Sequence, residues 1–372
     1  QNTISAIPYG NDVNFSNSYM KIWLNDTSVD GFLGNLRDPD KFIKMDSKWN
    51  ATETTGTGKL SNTTIVESAV GLLNIYEYTM SYTGTTYQKG YLNCGHYFYL
   101  LNPNSTDNIW FVSDFGPTYY DIPTTARGIR PAVNLKADIS VEYGDGTEDN
   151  PYRLEGDYDT NLAGTLLNTR YSGEYIRFGT DENNLYRIVS HEKEGLTKVT
   201  SVEPLKDNGT FKTLEFGDTE KYSKSNIIGS FLNGEYLNSG EYLNNNQIKM
   251  IEESNVWYLG YVDTNRNYLQ AKYDNGDINS ITTNTTNATV GLLRLGEMFC
   301  DQIDISDNNT TYWILTPYNN INVWYIDAFS NAYTNNLNFE SGIRPVVFLK
   351  ENVIITSGDG TLNNPFEVEL RS

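Results

Sequence analysis

The sequence predicts an α+β protein made of two tandem copies of one module, each a small twisted antiparallel sheet with two short helices. The 372 residues include 28 Tyr, 15 Phe and 6 Trp, which supply enough apolar area for packed cores. Asn, Thr, Gly and Tyr are frequent and are poor helix formers, whereas Thr and Tyr favour strands. Composition therefore predicts short strands, and an internal repeat gives the number of modules.

The repeat is the strongest pattern in the sequence. Gly128–Lys136 reads Gly-Ile-Arg-Pro-Ala-Val-Asn-Leu-Lys, and Gly342–Lys350 reads Gly-Ile-Arg-Pro-Val-Val-Phe-Leu-Lys. This offset of 214 residues continues without a gap over Leu101–Glu155, where 20 of 55 positions are identical. Copies of this length are independent domains rather than solenoid units. We therefore predict one module over residues 1–157 and a second over 158–372.

The two copies differ at their beginnings. The second opens with two alternating stretches, Gly173–Phe178 and Leu185–Ser190, which predict a hairpin with its turn at Asp181–Asn184. The first copy has no counterpart, and its Ile4–Pro8 is similar to Thr200–Pro204. The first module is therefore predicted to lack its opening strands. Divergence or a sequence boundary explains this, or another chain supplies a strand there by β-augmentation.

Apolar spacing predicts the remaining elements. The predicted helices lie at Asn226–Leu237 and Asn244–Glu253, with counterparts at Tyr19–Leu36 and Asp40–Asp46, and Ile43–Met45 is aligned with Ile248–Met250. The predicted strands are Tyr312–Leu315, Val323–Asp327, Ile343–Leu349, Val353–Thr356 and Phe366–Leu370, the last pairing with the opening strand of its module. The Gly-Asp-Gly-Thr elements at Gly144 and Gly358 predict turns that use positive φ.

The motifs of the second copy resemble a known family. Trp313–Pro317, Val323–Asp327 and Gly342–Val347 together resemble C-type-lectin-like modules related to formylglycine-generating enzyme. They are similar in particular to a domain of secreted and surface proteins of Firmicutes, and variable proteins of diversity-generating retroelements share the general fold. Ser357–Phe366 also resembles the bacterial set. The resemblance implies a secreted or cell-surface bacterial protein whose variable side chains precede the final Gly-Ile-Arg motif.

On this resemblance the ligand-binding residues precede that motif. The candidates are Tyr318, Asn319, Asn320, Asn322, Tyr325, Asp327, Asn331, Tyr333, Asn335 and Asn336. Tyr supplies contact area at low entropic cost and Asn supplies adaptable hydrogen bonds, as in antibody paratopes. A general bias towards Asn and Tyr along the chain is the alternative explanation.

Two functions follow from these observations. The first is a non-catalytic adhesin or ligand-display protein that binds a protein or glycan on another surface through Tyr- and Asn-rich loops. The alternative is a structural subunit of an extracellular, pilus-like filament or surface layer, which self-associates with strand complementation at the first module. Neither function requires a cofactor.

The sequence offers few residues for catalysis or metal binding. There are two histidines, and Cys94 and Cys300 do not match the cysteines on which formylglycine-generating enzymes rely, so we predict no enzyme activity. Asp145 and Asp359 are candidate calcium ligands, because C-type lectins often bind calcium. A turn without a bound cation is the alternative explanation of these residues.

Four further residues recur between the copies and are predicted to be structural. Arg130 and Arg344 lie in apolar strands, where a repeated charge is expected to bond carbonyls or a carboxylate, although an anchoring role towards a ligand is also open. Trp110 and Trp324 occupy equivalent positions and are predicted to pack in the cores.

The net charge excludes several partners. It is −20, from 27 basic and 47 acidic residues, whereas nucleic-acid recognition requires a basic face. Adhesion to anionic lipid is excluded for the same reason. No apolar run reaches the roughly 18 residues needed to cross a bilayer, so no membrane insertion is predicted.

Overall fold

The computed structural model describes residues 7–27, 31–82, 90–147, 150–155, 162–191, 193–261, 284–295, 297, 310–328 and 332–371. These residues form an α+β protein with short helices and mostly small antiparallel sheets. The chain divides into two compact units, Thr3–Tyr158 and Asp159–Ser372, one residue beyond the division predicted from the repeat. The described helices are all too short and too polar to traverse a lipid bilayer.

The first unit consists of two- and three-stranded sheets with three short α-helices. Its helices are α1 (Tyr19–Leu24), α2 (Pro39–Phe42) and α3 (Ile75–Met80). Its strands are β1 (Ile7–Pro8), β2 (Lys48–Asn50), β3 (Ile65–Glu67), β4 (Val70–Leu72), β5 (Phe98–Pro103), β6 (Ile109–Val112), β7 (Thr118–Asp121), β8 (Ala126–Arg127), β9 (Pro131–Val133), β10 (Val141–Tyr143) and β11 (Arg153–Leu154). Four of the sheets have two strands: β1 pairs with β8, β2 with β3, β4 with β9, and β10 with β11. The remaining strands form a three-stranded sheet in the order β5-β6-β7.

The second unit contains larger sheets. Its helices are α4 (Ile227–Asn233), α5 (Glu235–Asn238) and α6 (Asn245–Met250). Its strands are β12 (Tyr175–Arg177), β13 (Leu185–Ser190), β14 (Thr197–Ser201), β15 (Lys206–Asp207), β16 (Thr210–Phe211), β17 (Thr213–Glu215), β18 (Asn255–Tyr258), β19 (Thr285–Ala288), β20 (Tyr312–Asn319), β21 (Asn322–Ile326), β22 (Ala332–Asn336), β23 (Glu340–Gly342), β24 (Val346–Leu349), β25 (Val353–Ser357) and β26 (Phe366–Leu370). One sheet has the order β24-β14-β13-β12-β26-β25, and another has the order β17-β23-β20-β21-β22. The prediction of one sheet and two helices per module was therefore too simple.

The opening and closing strands of the second unit confirm the sequence prediction. β12 and β13 form an antiparallel hairpin, with Tyr175 opposite Arg187. β26 pairs with β12 in parallel, with Ile176 opposite Phe366, so the chain's last strand closes onto the opening strand. The Gly-Asp-Gly-Thr turns also hold, because Gly144 and Gly358 adopt φ angles of 102° and 89°.

The predicted helices are too long. The stretch predicted as Asn226–Leu237 breaks at Gly234, whose φ and ψ of −115° and −92° are not helical. In the first unit the helix ends at Leu24. The side-chain Nδ2 of Asn25, the next residue, donates to the Lys21 and Val70 carbonyls. Asn233 makes the equivalent bonds to Gly229 and Val290. One asparagine thus joins a helix end to a segment distant along the chain in each unit.

Two alignments made from the sequence are wrong in register. Ile43 forms a bridge to Leu135, and its structural equivalent is Ile251, which bridges to Leu349; Ile248 is not the counterpart. Ile7 lies opposite Arg127, as Leu214 lies opposite Ser341, so the similarity of Ile4–Pro8 to Thr200–Pro204 is misleading. Short apolar triplets match by chance where loops differ in length, and only strand pairing identifies the true equivalents.

In both units a tryptophan of a two-stranded sheet packs on a glycine of a neighbouring segment. Trp49 donates through Nε1 to the Ser68 carbonyl at 2.9 Å, and Trp257 donates to the Ala288 carbonyl at 2.9 Å. A Cβ added to Gly71 would lie 2.3 Å from the Trp49 ring, and one added to Gly291 would lie 2.6 Å from the Trp257 ring. The glycine is therefore required by the close approach of the indole.

Substituting Gly291→Ala is expected to destabilise the second unit by about 1–3 kcal/mol, because the tryptophan ring must shift within a packed core. Chemical denaturation with tryptophan fluorescence measures the change. Gly58→Ala is the control, since a Cβ there meets nothing within 4 Å. Equal stability of G291A and the parent protein would refute the packing argument.

Candidate functional site

The predicted ligand-binding region of the second unit is strand rather than loop. β20, β21 and β22 run antiparallel, with Tyr325 opposite Trp313 on one side and opposite Tyr333 on the other. β20 and β21 are mostly buried, whereas β22 is mostly half-buried, and aromatic and β-branched residues suit these strands. The expectation of a variable loop is therefore wrong for most of this region.

The turn between β20 and β21 carries an asparagine-rich tip. Asn319 lies opposite Asn322, and Asn322 lies opposite Asn336 on β22. The Asn319 side chain accepts from the amides of Ile321 and Asn322 at 2.9 Å each, which shapes the turn. Asn320 and Asn336 are exposed and present amide groups to solvent. The structure thus brings Asn319, Asn320, Asn322, Asn335 and Asn336 together at one end of the sheet.

The tyrosines of the predicted set lie further along the strands. The Tyr325 and Tyr333 rings are 6.3 Å apart across the ladder, and the Tyr325 ring also lies 5.2 Å from Phe339. Both tyrosines are half-buried and so contribute to packing as well as to the surface. Tyr318 stacks edge-on against Trp324 at 5.5 Å. Asp327 follows β21 at the opposite end from the asparagine tip, and Asn331 lies outside the described residues.

The first unit repeats the cross-strand aromatic pair on β6 and β7. Phe111 and Tyr119 are equivalent to Tyr325 and Tyr333 and lie 6.0 Å apart at a similar angle. The Arg127 guanidinium sits 3.5 Å from the centre of the Phe111 ring and 5.2 Å from the Tyr97 ring. Such stacking of Arg on aromatic faces is favourable and orders the guanidinium.

Exposed tyrosines lie beside Phe111 in the first unit. Tyr97 and Tyr119 expose a large part of their side chains next to Phe111, whereas Tyr120 packs against Trp110 on the opposite side of the sheet. We define the display face of each unit as the side of its sheet that carries the aromatic pair, on β6–β7 in the first unit and on β21–β22, with the asparagine tip, in the second. Sequence reasoning missed Tyr97 and Arg127, because only the fold brings them beside Phe111.

Charged groups surround the aromatic residues of the first unit. Arg127 forms an ion pair with Asp121 at 2.7 Å. Burial opposes ionisation of Asp121, but a hydrogen bond from the Ile122 amide and the neighbouring Arg127 outweigh it and lower the pKa of that carboxyl. The negative charge of Asp114, together with partial burial, raises the pKa of the Tyr97 hydroxyl. The display face of this unit therefore combines aromatic rings, one cation and two carboxylates.

The lowered pKa of Asp121 fixes the sign of its pH dependence. Because the pKa is lower in the folded than in the unfolded protein, the ion pair stabilises fully above the unfolded value of about 3.9. This stabilisation is lost as pH falls through the folded pKa. An NMR titration of the Asp121 carboxyl carbon is expected to give a midpoint below about 3.9. In R127M the midpoint should rise, and an unchanged midpoint would contradict the pairing.

The recurring arginines occupy equivalent places. Arg344 is 1% exposed, donates through Nε to the Ser201 carbonyl at 2.8 Å, and lies 5.0 Å from the Tyr312 ring centre. Arg130 is half-buried, donates to the Leu92 carbonyl, and lies 5.4 Å from the Phe98 ring centre. Both side chains therefore bond a carbonyl and stack on the aromatic ring of the strand beside them.

The recurring tryptophans lie in the cores of their units. Trp110 is buried and donates through Nε1 to the Thr54 carbonyl at 2.8 Å. Trp324 is buried in the second unit.

The two candidate calcium ligands, Asp145 and Asp359, stabilise turns through hydrogen bonds. Asp145 accepts from the Thr147 amide and hydroxyl at 3.0 and 2.7 Å, and Asp359 accepts from Thr361 at the same distances. The Thr147 bonds lower the pKa of the Asp145 carboxyl. Within the described ranges, no three His, Cys, Asp or Glu side chains group closely enough to hold a metal ion. Cys94 is a half-buried free thiol, and Cys300 lies outside the described residues.

Comparison of the chain with protein-family profiles, curated proteins and solved structures gave no match.

Proposed function

We propose that this chain is a non-catalytic extracellular surface protein, with two C-type-lectin-like modules that bind a protein or glycan ligand through the display face. The observation that carries the proposal is the retained aromatic pair, Phe111–Tyr119 and Tyr325–Tyr333, surrounded by residues that differ between the units. A fixed scaffold with diverging surface residues is the arrangement expected of a ligand-display protein.

The chemistry of the face indicates the ligand class. Exposed tyrosines stack on the apolar faces of sugars or peptides, while the asparagine tip and Asp121 supply directional hydrogen bonds. The net charge of −20 disfavours acidic ligands, so neutral or cationic glycans and peptides fit best.

Array binding tests this function. The double variant Y97A/Y119A is expected to weaken binding of an array-selected glycan or peptide by about tenfold or more, because both exposed rings lie beside Phe111 and exposed aromatic anchors carry most binding energy. Y91A is the control, since Tyr91 is also an exposed tyrosine but lies outside β5–β7. Equal loss in the control, or no ligand on either array type, would contradict the proposal.

A structural filament subunit is the second candidate, and one observation favours it. Strands that complete the sheet of the second unit have no counterpart in the described part of the first unit. A sheet edge of this kind is a template for strand addition between subunits. Sedimentation at increasing protein concentration tests assembly, and a stable monomer throughout would count against a filament built from this chain alone.

A further inference from the structure

The core of the second unit holds more buried cations than buried carboxylates. Its described charged side chains that are only 1–5% exposed are Arg170, Arg187, Lys198, Arg344 and Glu297. Glu174 pairs with Arg170 at 2.6 Å. Glu297 pairs with Lys198. Arg187 and Arg344 form no ion pair with any residue that the structure describes.

Arg344 is the more deeply buried of these two arginines. It is 1% exposed, whereas Arg187 is 5% exposed. Its Nε donates to the Ser201 carbonyl at 2.8 Å, and its Nη1 donates to the Tyr312 hydroxyl at 3.3 Å. A carbonyl and a phenol hydroxyl accept hydrogen bonds but do not supply the opposite charge that a guanidinium requires.

The remaining nitrogen of the Arg344 guanidinium is buried without a hydrogen-bond partner among the described residues. This atom, Nη2, carries two N–H donors. The hydroxyl of Ser201, whose carbonyl bonds Nε, is also buried without a described partner. Buried polar atoms in folded proteins are almost always hydrogen-bonded, so Nη2 in particular requires an acceptor.

The charge of Arg344 determines which kind of acceptor fits. A guanidinium keeps its proton in proteins, so it cannot become neutral when it is buried. A buried water would accept from Nη2, but it would leave the positive charge uncompensated in a medium of low dielectric constant. An anion satisfies the donor and the charge together, and their attraction is strong where water is excluded.

The surroundings of Arg344 favour a small anion over a large ligand. Ile343 and Val346, which flank the Arg344–Pro345 pair, are fully buried. The Tyr312 ring centre lies 5.0 Å from the guanidinium carbon and covers part of it. Because the side chain is closed to solvent, an anion bound to it is enclosed when the unit folds.

The equivalent arginine of the first unit lies in a more open position. Arg130 is half-buried, and it donates to the Leu92 carbonyl. Solvent and its dissolved ions therefore reach Arg130. Arg344 is bonded instead by Ser201, the last residue of β14, a strand without a counterpart among the described residues of the first unit. An enclosed counter-ion is thus required only in the second unit.

We propose that the second unit encloses one small monovalent anion, which is chloride in a chloride-containing solution, bound by Nη2 of Arg344 within the packed core. This anion belongs to the folded structure and is not a ligand of the display face, so the inference does not depend on the proposed function. Because the anion binds the folded unit and not the unfolded chain, it stabilises folding by mass action.

The dependence of stability on chloride concentration tests this site. Sodium chloride replaces sodium glutamate at constant ionic strength, so that screening is unchanged while glutamate is too large to be enclosed. Amide hydrogen exchange at Val199 and Val347 measures the opening of the second unit. We expect protection to rise by up to about tenfold for each tenfold increase in chloride. Protection that is independent of chloride would overturn the proposal.

Two variants separate the Arg344 site from general salt effects. In R344M the charge is removed, and protection at Val199 and Val347 is expected to be independent of chloride. R130M is the matched control, because Arg130 occupies the equivalent place in the first unit, and it should keep the chloride dependence of the parent protein. The same chloride dependence in R344M would contradict the assignment to Arg344.

Anomalous diffraction from crystals of the parent protein in sodium bromide locates the anion directly, even if R344M does not fold. An anomalous peak at hydrogen-bond distance from Nη2 of Arg344 is the expected result. A water at this place without an anomalous signal, or a carboxylate of the chain bonded to Nη2, would overturn the proposal.

Discussion

Replacing Glu297 by glutamine is expected to destabilise the second unit by about 3–5 kcal/mol, because two cations then lose their carboxylate in a buried site. Lys198 is 1% exposed and pairs with Glu297, and Arg294 lies 3.2 Å from the same carboxylate. The Lys198 ammonium also sits over the Trp257 and Phe348 rings at 5.4 and 5.2 Å. Glutamine keeps the shape and the bond to the Arg294 amide, so the loss reports the charge.

Hydrogen exchange at Val199 and Val347 measures this change in the free energy of unfolding of the second unit. E77Q is the matched control, because Glu77 occupies the equivalent position but is exposed; we expect a loss of about 1 kcal/mol or less. Adding K198M to E297Q should recover much of the stability, since replacing both partners by apolar or neutral groups removes the buried charges. A small effect of E297Q alone would contradict the buried cluster.

Replacing Trp313 by alanine is expected to cost about 3–5 kcal/mol, because it leaves a large cavity in the five-stranded sheet. The Trp313 ring lies 5.4 Å from Phe216 and 5.9 Å from Phe339. Its Nε1 donates to the Leu214 carbonyl at 2.9 Å, so this bond is lost as well.

Denaturant unfolding measures this loss, with Y333A as the control. Tyr333 is half-buried on β22, and we expect its truncation to lower the free energy of unfolding by less than that of Trp313. If W313A and Y333A were equally stable, Trp313 would not anchor the sheet, and the division between packing residues and display residues would fail.

The parts of the fold that the sequence predicts are those encoded locally or by repetition. The Gly-Ile-Arg-Pro repeat gives two modules, and the glycines of each Gly-Asp-Gly-Thr turn occupy positive φ as their lack of a Cβ allows. The opening hairpin of the second unit follows from alternation alone. Helix ends are harder to predict, because the Asn25 and Asn233 side chains at these ends bond carbonyls that are distant along the chain.

The candidate site is only partly predictable for the same reason. The Tyr and Asn residues could be chosen from composition, but whether they lie on strands depends on pairing with β20 and β22. Arg127 reaches Phe111 only after the chain has turned back beside β6, so no local pattern identifies it. The exposed edge of β9 becomes visible only when the two units are compared.

The central claim is that both units are one module and that the described residues of the first include no counterparts of β12, β13 and β14. In the second unit the amides of Val347 and Leu349 face β14, because Val346 bonds Gly291 on the other side and alternate residues face opposite edges. Hydrogen exchange of the intact chain at micromolar concentration tests the claim most directly. We expect rapid exchange at Val133 and Leu135 and slow exchange at Val347 and Leu349. Equal protection at all four amides would contradict an open sheet in the first unit.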